Sequence, residues 1–359
     1  MRHSTSLAAV FRAVGQPLTL EHFHIPELAG SEALVRIRCA TICGSDLHSF
    51  FGRRPAPVPS VLGHEMVGEI VAMGPNGTCD FRGQSLSIGD RVTWSMVWSC
   101  GSCFYCLLGL RPKCERLMKF GHEAMTPNRA LIGGMAEYCW LPEDTAIFRV
   151  PSNLTDSVAS PANCATATVA AVFRNAGSVK NQIVVIHGAG MLGQTACAMA
   201  SHTGASKVIA LDHNSHRCTQ SLKFGAHLTL PPDQATARVH DLTSGRGADI
   251  CLEFAGQPES FELGINLLRV GGKLVLAGAT FPAKPVPIQA EQIVRRMLQI
   301  TGVYNYSPED LEAALAFLSA TVIRFPFDEL VGATYRLKEV NAAMDFAETK
   351  RPPRVALIP

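Results

Sequence analysis

Twelve residues just past the middle of the chain read Gln182-Ile183-Val184-Val185-Ile186-His187-Gly188-Ala189-Gly190-Met191-Leu192-Gly193. An apolar run is followed at once by the pattern G-x-G-x-x-G and then by an alanine-rich stretch of helical composition. In such a strand–turn–helix unit, Gly188 makes the tight turn, Gly190 lets the backbone approach a pyrophosphate, and Gly193 lets helix and strand pack closely. The stretch predicts a dinucleotide-binding βαβ unit; the alternative is an ordinary tight turn between a strand and a helix.

The residues around this turn also predict which dinucleotide binds. Met191 and Leu192 open the expected helix, whose first N–H groups face the phosphates in units of this kind. The next apolar run ends at Asp212, 19 residues beyond Gly193. An acidic residue at this distance hydrogen-bonds the adenine ribose and repels a 2′-phosphate, so we expect NAD. Arg217 is a further candidate contact to the cofactor, and its positive charge leaves NADP as an alternative. Arg217 could instead be part of an ordinary polar loop.

The chain divides into three regions that differ in sequence pattern, and the middle region contains this unit. Residues 1–160 hold short β-branched runs broken by glycine and proline, which predicts a β-rich domain. Residues 161–300 alternate apolar runs with helical stretches, which is typical of a parallel, doubly wound sheet. Residues 301–359 hold a helix and two closing strands. The predicted fold class is therefore α/β, with a Rossmann doubly wound parallel sheet beside a β-rich domain.

The elements predicted in these regions are short. The strands are Ala33–Cys39, Val67–Ala72, Asp90–Trp94, Gln182–His187, Lys207–Leu211, Asp249–Phe254, Gly272–Ala277, Val331–Arg336 and Arg354–Ile358, and the C-terminal helix is Pro308–Ala320.

Composition excludes several classes of function. The chain has 359 residues, 47% hydrophobic and 17% charged, with a formal net charge of +2, which suits two domains with separate cores. Because no block of like charge occurs, we expect neither a nucleic-acid nor a membrane partner. No signal peptide and no run of about 18 apolar residues is recognisable. We therefore expect a cytoplasmic protein whose 12 cysteines are metal ligands or buried apolar residues.

Four cysteines lie close together in the β-rich region. They follow the spacing C-x2-C-x2-C-x7-C and are Cys100, Cys103, Cys106 and Cys114. Thiolates at two-residue intervals can converge on one ion, and four of them form a closed tetrahedral zinc site with no position for substrate. The pattern predicts a structural zinc; the alternatives are an iron–sulfur cluster or chance clustering.

A second candidate metal site is dispersed along the chain. Cys43, His64 and Cys164 offer two thiolates and one imidazole, which leaves the fourth position of a zinc ion open, as catalytic zinc sites require. The combination predicts a catalytic zinc, although Cys164 taken alone could be a small buried residue.

Together these motifs resemble a zinc-containing alcohol dehydrogenase of the medium-chain dehydrogenase/reductase superfamily, over nearly the whole chain. The matching segments are Cys43–His48, Gly63–Val71, the four-cysteine loop and Gly188–Gly193. The resemblance implies a GroES-like catalytic domain (residues 1–160, with the structural zinc loop at 100–114, and 301–359). It also implies a Rossmann domain (residues 161–300), two zinc ions per subunit, a catalytic cleft between the domains, and a homodimer or homotetramer.

The same resemblance implies roles for the residues around the catalytic zinc. Ser45 is expected against the oxygen of a small alcohol or aldehyde, with His48 next in a proton relay toward solvent. Asp46 is expected to hold the distal nitrogen of His64. Glu65 is expected behind the zinc, where it could join ligand exchange.

The substrate is predicted less directly. Arg53 and Arg54 follow the relay residues, and paired guanidinium groups there could bind an anion; two solvated surface arginines are the alternative. The chain is also similar to a subgroup of this superfamily proposed to act in phosphonate catabolism, in the segments Gly52–Arg54, Thr93–Ser95, Lys119–His122 and Pro161–Ala165. This resemblance implies a hydroxyalkylphosphonate or its aldehyde as the substrate. A polyol, sugar alcohol or simple alcohol is the alternative. In polyol dehydrogenases, however, the region that contains Cys164 here resembles Glu-Pro, and the ligand set differs. A non-enzymatic NAD(P)H-binding protein or a zinc-free reductase would be expected to lack the open-site ligands.

Overall fold

The computed structural model describes residues 5–126 and 129–359. Its strands are β1 Thr5–Phe11, β2 Thr19–His24, β3 Ala33–Ile42, β4 Ser60–Val61, β5 Glu65–Met73, β6 Arg91–Trp94, β7 Val97–Trp98, β8 Met118–Lys119, β9 Tyr138–Leu141, β10 Ile147–Arg149, β11 Ile183–His187, β12 Lys207–Leu211, β13 Leu228–Leu230, β14 Ala248–Glu253, β15 Leu268–Leu276, β16 Gln299–Gly302, β17 Val331–Arg336 and β18 Arg354–Ile358.

The helices alternate with these strands through the second half of the chain. They are α1 Gly44–Phe50, α2 Phe104–Leu107, α3 Asp156–Ala159, α4 Ala165–Ala176, α5 Met191–His202, α6 Ser215–Lys223, α7 Ala235–Leu242, α8 Pro258–Leu267, α9 Ala290–Arg295, α10 Pro308–Thr321 and α11 Val340–Lys350. Short 3₁₀ turns occupy Arg111–Lys113, Ser160–Asn163, Pro232–Gln234, Phe327–Leu330 and Leu337–Glu339.

The chain divides into two compact units. The first contains the residues up to Cys164, together with Ser307–Ser319 and Phe327–Pro359; the second contains Ala165–Tyr306 and Ala320–Pro326. The first unit therefore draws on both ends of the chain.

The first unit is built on a mostly antiparallel sheet with the order β10-β6-β5-β3-β18-β17, in which β9 also pairs with β3. The central strand β3 is apolar over most of its length and is largely buried. Thr41 near its end is in register with Glu65 at the start of β5, and Ile42 is in register with Val355 of β18. This register brings the residue after β3, the start of β5 and the start of β18 to one end of the sheet.

The second unit is a parallel six-stranded sheet with the order β13-β12-β11-β14-β15-β16. The predicted Rossmann sheet is confirmed, and its central strands β11, β12 and β14 are almost entirely buried, as expected when helices cover a parallel sheet. The chain reverses after β11 at Gly188, whose φ of 95° favours glycine. A Cβ at Gly193 would lie 1.8 Å from the Gly188 carbonyl oxygen, which explains the requirement for glycine there.

Each predicted strand overlaps an observed one, and the predicted C-terminal helix is α10. Among the described helices, none has both the length and the apolar character needed to cross a membrane.

Candidate active site and metal centres

Four candidate metal ligands converge at the end of the sheet in the first unit. Cys43 caps the N-terminus of α1, and His64 and Glu65 stand where β5 begins. Cys164 follows the 3₁₀ turn Ser160–Asn163. One potential ligand atom from each of these four residues lies within 4.8 Å of all the others. Three short segments that are distant in sequence therefore place two thiols, an imidazole and a carboxylate around one small volume.

The orientation of His64 is fixed from both sides of its ring. Its Nδ1 lies 3.2 Å from Asp46 Oδ1, and its Nε2 lies 3.3 Å from Ser45 Oγ. Asp46 is itself fully buried and accepts hydrogen bonds from the backbone N–H groups of Cys43 and Gly63. Burial lowers the pKa of His64, but Asp46 and Cys43 together outweigh burial and raise the pKa to about 10. This geometry leaves Nε2 on the side of Ser45 and the thiols.

Glu65 is held by an arginine that the sequence patterns did not reveal. Arg354, the first residue of β18, donates from Nε to Oε2 and from Nη2 to Oε1, each at 2.6 Å. Thr41 also donates to Oε2 at 2.7 Å, and Arg354 Nη2 lies 3.6 Å from Cys43 Sγ. Burial raises the pKa of Glu65 to about 7, and Arg354 limits that rise. The only available sequence signal was an arginine opening an otherwise apolar strand.

The two thiols of the cluster differ in acidity. A hydrogen bond from Cys164 holds the pKa of Cys43 well below its ordinary value, assisted by Arg354. The hydrogen bond to Cys43 and burial hold the pKa of Cys164 well above its ordinary value. Asn163 precedes Cys164 and ties it to the sheet, since its side chain accepts from Met66 N and donates to Trp94 O. The pair thus shares one proton, which a divalent cation can displace.

The two arginines after α1 take different directions. Arg53 donates both Nη groups to Glu348 on α11, at 3.1 and 2.6 Å. Arg54 donates from Nε to Ser49 Oγ at 2.8 Å, and its Nη2 lies 2.8 Å from His122 Nδ1. The structure therefore does not present them as a paired anion clamp.

His48 and His122 complete the ionisable groups near the cluster. His48 lies in the last turn of α1, and burial, followed by the charges of Arg53 and Arg54, lowers its pKa. The ring of His122 lies 4.9 Å from that of His64, centroid to centroid. Burial, followed by the charge of His64, lowers the pKa of His122 well below its ordinary value. The sequence patterns assigned His122 no role.

The four-cysteine loop forms a separate cluster in the same unit. The sulfur atoms of Cys100, Cys103, Cys106 and Cys114 all lie within 4.8 Å of one another. Backbone N–H groups of Cys100 and Arg116 point at Cys114 Sγ, each at 3.3 Å. A backbone hydrogen bond from Ser102, followed by Arg116, lowers the pKa of Cys100 to about 5. Burial raises the pKa of Cys106 to about 12. Four convergent soft donors with N–H support suit a closed zinc site.

The glycine turn in the second unit is shaped to accept a dinucleotide. Helix α5 begins at Met191 and Leu192 with Gly190 as its N-cap, so its first N–H groups lie at the turn. A Cβ at Gly190 would meet no described protein atom within 4 Å, which leaves that space open for a ligand.

Asp212 follows β12 at the same end of the parallel sheet. Its Oδ2 accepts from Ala189 N at 2.8 Å, and its Oδ1 accepts from Asn214 N at 2.9 Å. Arg217 Nη1 lies 3.9 Å from Asp212 Oδ2. The acidic residue is therefore fixed to the glycine turn, where a ribose of a bound dinucleotide is expected.

Comparisons with known proteins agree with these features. Residues 29–152 match the family described as alcohol dehydrogenase GroES-like domain, and residues 192–320 match the family described as zinc-binding dehydrogenase. The chain is 35% identical over 309 residues to L-threonine 3-dehydrogenase of Paraburkholderia phymatum, covering 84% of each chain. It is 28% identical over 338 residues to 5-exo-hydroxycamphor dehydrogenase of Pseudomonas putida, covering 92% of each. The solved structure of an alcohol dehydrogenase from Thermotoga maritima is similar with a TM-score of 0.92 and 30% identity, covering 99% of both chains.

Proposed function

Because this chain belongs to the zinc-binding dehydrogenases of the medium-chain dehydrogenase/reductase superfamily, we propose that it is an NAD-linked alcohol dehydrogenase with one catalytic and one structural zinc per subunit. The observation that carries the proposal is the convergence of Cys43, His64 and Cys164 within 4.8 Å. Glu65 belongs to the same group, but Arg354 and Thr41 occupy its carboxylate oxygens. Zinc held by the other three residues would therefore keep one coordination position for substrate. A non-enzymatic dinucleotide-binding protein has no use for such an open ligand set.

The donor set fits zinc, because two thiolates and an imidazole are ligands that zinc prefers. When bound, zinc supplies Lewis acidity toward the substrate oxygen, and NAD accepts the hydride. Asp46 holds His64 in the tautomer that leaves Nε2 for the metal. Arg354 of the buried Arg354–Glu65 pair also lies 3.6 Å from Cys43 Sγ, and its charge helps to lower the pKa of that thiol.

The proton released by alcohol oxidation needs a route away from the substrate. Ser45 Oγ lies 3.3 Å from His64 Nε2, so its hydroxyl is placed to accept a proton beside the metal ligands. His48 is one helical turn further along α1 and is the next acceptor in the proposed relay. Burial and the charges of two arginines lower the pKa of His48, which favours the neutral imidazole that can accept a proton.

Replacing His48 with glutamine is expected to lower kcat/KM for alcohol oxidation about 10²-fold at pH 7, since glutamine cannot relay a proton. In the wild type, activity should fall as the pH drops through the His48 pKa, which lies below the ordinary histidine value, because the imidazolium cannot accept. A pH–rate profile measures both effects. An unchanged acidic limb in the His48→Gln profile would remove His48 from the relay.

The proposed cofactor is NAD, bound at Gly188, Gly190 and Gly193 with Asp212 at the adenine ribose. Replacing Asp212 with asparagine keeps an acceptor for Ala189 N and removes the charge that repels a 2′-phosphate. The ratio of kcat/KM for NAD over NADP is expected to fall about 10²-fold. Asp233→Asn, at an exposed position of the same unit, is the matched control. An unaltered ratio in Asp212→Asn would show that this carboxylate does not select the cofactor.

Among alcohols, we propose a small hydroxyalkylphosphonate or the corresponding aldehyde. Support comes from the cationic groups after α1 and from the resemblance in motif pattern. A polyol or sugar alcohol is the second candidate. It is less well supported, because Cys164 provides a second thiolate instead of the ligand set of polyol dehydrogenases.

The proposed function is tested by following NAD reduction with 2-hydroxyethylphosphonate, 1-propanol and sorbitol, before and after zinc chelation. Chelator-sensitive turnover with at least one alcohol is the expected result, and preference for the phosphonate supports the finer assignment. Turnover of neutral alcohols alone would support the dehydrogenase activity and contradict the phosphonate as its substrate. Turnover that persists after verified removal of both zinc ions would contradict the central proposal.

A further inference from the structure

We propose that Arg54 alone, oriented by Ser49 and His122, is the residue that recognises an anionic group on the alcohol substrate. The inference rests on the proposed dehydrogenase function and assigns substrate recognition to one guanidinium instead of the adjacent pair. It also gives His122 a positioning role.

The backbone and side chain of Arg54 are both anchored to α1. Its backbone N–H donates to His48 O at 3.2 Å, just beyond the helix. Its Nε donates to Ser49 Oγ at 2.8 Å, and Ser49, which is fully buried, in turn donates to Ser45 O at 3.1 Å. The guanidinium is therefore fixed relative to Ser45, the residue placed nearest the reacting oxygen.

His122 fixes the other edge of the guanidinium. Arg54 Nη2 lies 2.8 Å from His122 Nδ1, and the ring of His122 lies 4.9 Å from that of His64. The same Nη2 lies 3.2 Å from His122 Nε2, so Nδ1 is the nearer of the two ring nitrogens. Because arginine can only donate, a ring nitrogen of His122 accepts and the imidazole is neutral in this contact. His122 therefore contacts both the proposed metal ligand His64 and the Arg54 guanidinium. We place the oxygen of a short substrate at the His64 end of these contacts and its anionic end at Arg54.

Among the described residues, the guanidinium of Arg54 forms no salt bridge. Across the described residues, no carboxylate lies within 4.0 Å of its guanidinium, whereas Arg53 is paired with Glu348 and Arg354 with Glu65. Arg54 is only partly exposed, and leaving a partly buried cation unpaired is unfavourable. Its other contacts, Ser49 and His122, are neutral. An anion from outside the chain is the partner that this arrangement lacks.

The geometry defines the ligand chemistry. With Nε and one Nη2 contact already used, the remaining N–H groups on the Nη atoms are available to oxygens of a phosphonate, phosphate or carboxylate. These anions share the required chemistry, and matched substrates distinguish them. We infer a preference for short alcohols with a terminal oxyanion.

The test compares Arg54→Met with the control Arg82→Met. Arg82 belongs to the same unit, is distant from the cluster in sequence, and pairs with Glu312. The quantity measured is the ratio of kcat/KM for 2-hydroxyethylphosphonate over 1-propanol, in zinc-loaded protein. Loss of a charge-assisted pair is expected to lower this ratio about 10²-fold in Arg54→Met, mainly through KM, and to leave it unchanged in Arg82→Met. Glycolate and 2-hydroxyethylphosphate, compared in the same way, separate carboxylate from phosphate recognition.

His122 is tested as a positioning residue. His122→Phe keeps an aromatic ring and removes the acceptor, so the ratio of kcat/KM for 2-hydroxyethylphosphonate over 1-propanol is expected to fall, mainly through a higher KM for the phosphonate. His122→Asn restores an oxygen acceptor close to the position of Nδ1 and should recover part of the loss. Equal losses on both alcohols in His122→Phe would indicate a merely structural role.

Failure of this inference is distinguishable from failure of the proposed function. If the wild type turns over alcohols with zinc dependence but Arg54→Met keeps the wild-type ratio, only the role of Arg54 is overturned. The same holds if Arg53→Met, and not Arg54→Met, loses phosphonate selectivity. If no alcohol is turned over, calorimetric binding of methylphosphonate to wild type and Arg54→Met still tests the anion site: binding abolished by the substitution supports it, and equal binding overturns it.

Discussion

Replacing Cys164 with alanine is expected to lower kcat/KM for alcohol oxidation by about 10³–10⁴-fold and to reduce the zinc content from two ions per subunit to one. Cys164 is one of only two thiols in the open cluster, and the loss of one ligand from a three-ligand zinc site removes both affinity and a defined geometry. Lewis-acid assistance contributes several kcal/mol to the barrier, and each 1.36 kcal/mol corresponds to about tenfold in rate.

The control for this substitution is Cys251→Ala. Cys251 is a fully buried thiol on β14 in the second unit and belongs to neither cluster. The Cys251→Ala protein should keep two zinc ions per subunit and the wild-type turnover rate. Metal analysis by mass spectrometry, together with steady-state rates, separates the outcomes. Full zinc content and full activity in Cys164→Ala would remove Cys164 from the metal site and return it to the role of a small buried residue.

Much of this site could be predicted because its information is local. Cys100, Cys103, Cys106 and Cys114 lie within one loop, and the Gly188–Gly193 turn lies between one strand and one helix. In such segments, spacing along the chain nearly determines spacing in three dimensions. The strands were predictable for the same reason, since apolar runs between glycines and prolines define buried strands.

Strand ends and paired side chains depended on distant segments and could not be predicted. Strand β3 continues past Cys39 to Ile42, because its last residues pair with β18 from the opposite end of the chain. Arg53 and Arg54 are adjacent in sequence, yet one contacts α11 and the other His122. Adjacent residues beyond a helix end point in different directions, so what each contacts depends on tertiary packing.

The pair of Arg354 and Glu65 is the clearest case, because 289 positions separate the two residues. Replacing Arg354 with methionine is expected to lower the free energy of unfolding by about 3–5 kcal/mol, since removing one partner of a buried ion pair leaves the other uncompensated. The substitution should also weaken the zinc site, because Arg354 Nη2 lies 3.6 Å from Cys43 Sγ. Urea denaturation of the zinc-loaded protein measures the first effect.

The pH dependence of this deficit has a definite sign. Burial already raises the pKa of Glu65 to about 7, and loss of Arg354 removes the attraction that limits the rise. A carboxyl whose folded-state pKa lies above its unfolded value destabilises the fold increasingly as the pH rises from its unfolded pKa to its folded pKa. The stability deficit of Arg354→Met should therefore be larger at pH 8 than at pH 5.

The double variant Glu65→Gln/Arg354→Met removes both charges and should recover most of the loss at pH 8, because a neutral side chain of similar shape carries a much smaller desolvation cost. A deficit that is independent of pH and persists in the double variant would instead assign the effect to lost packing of the arginine side chain.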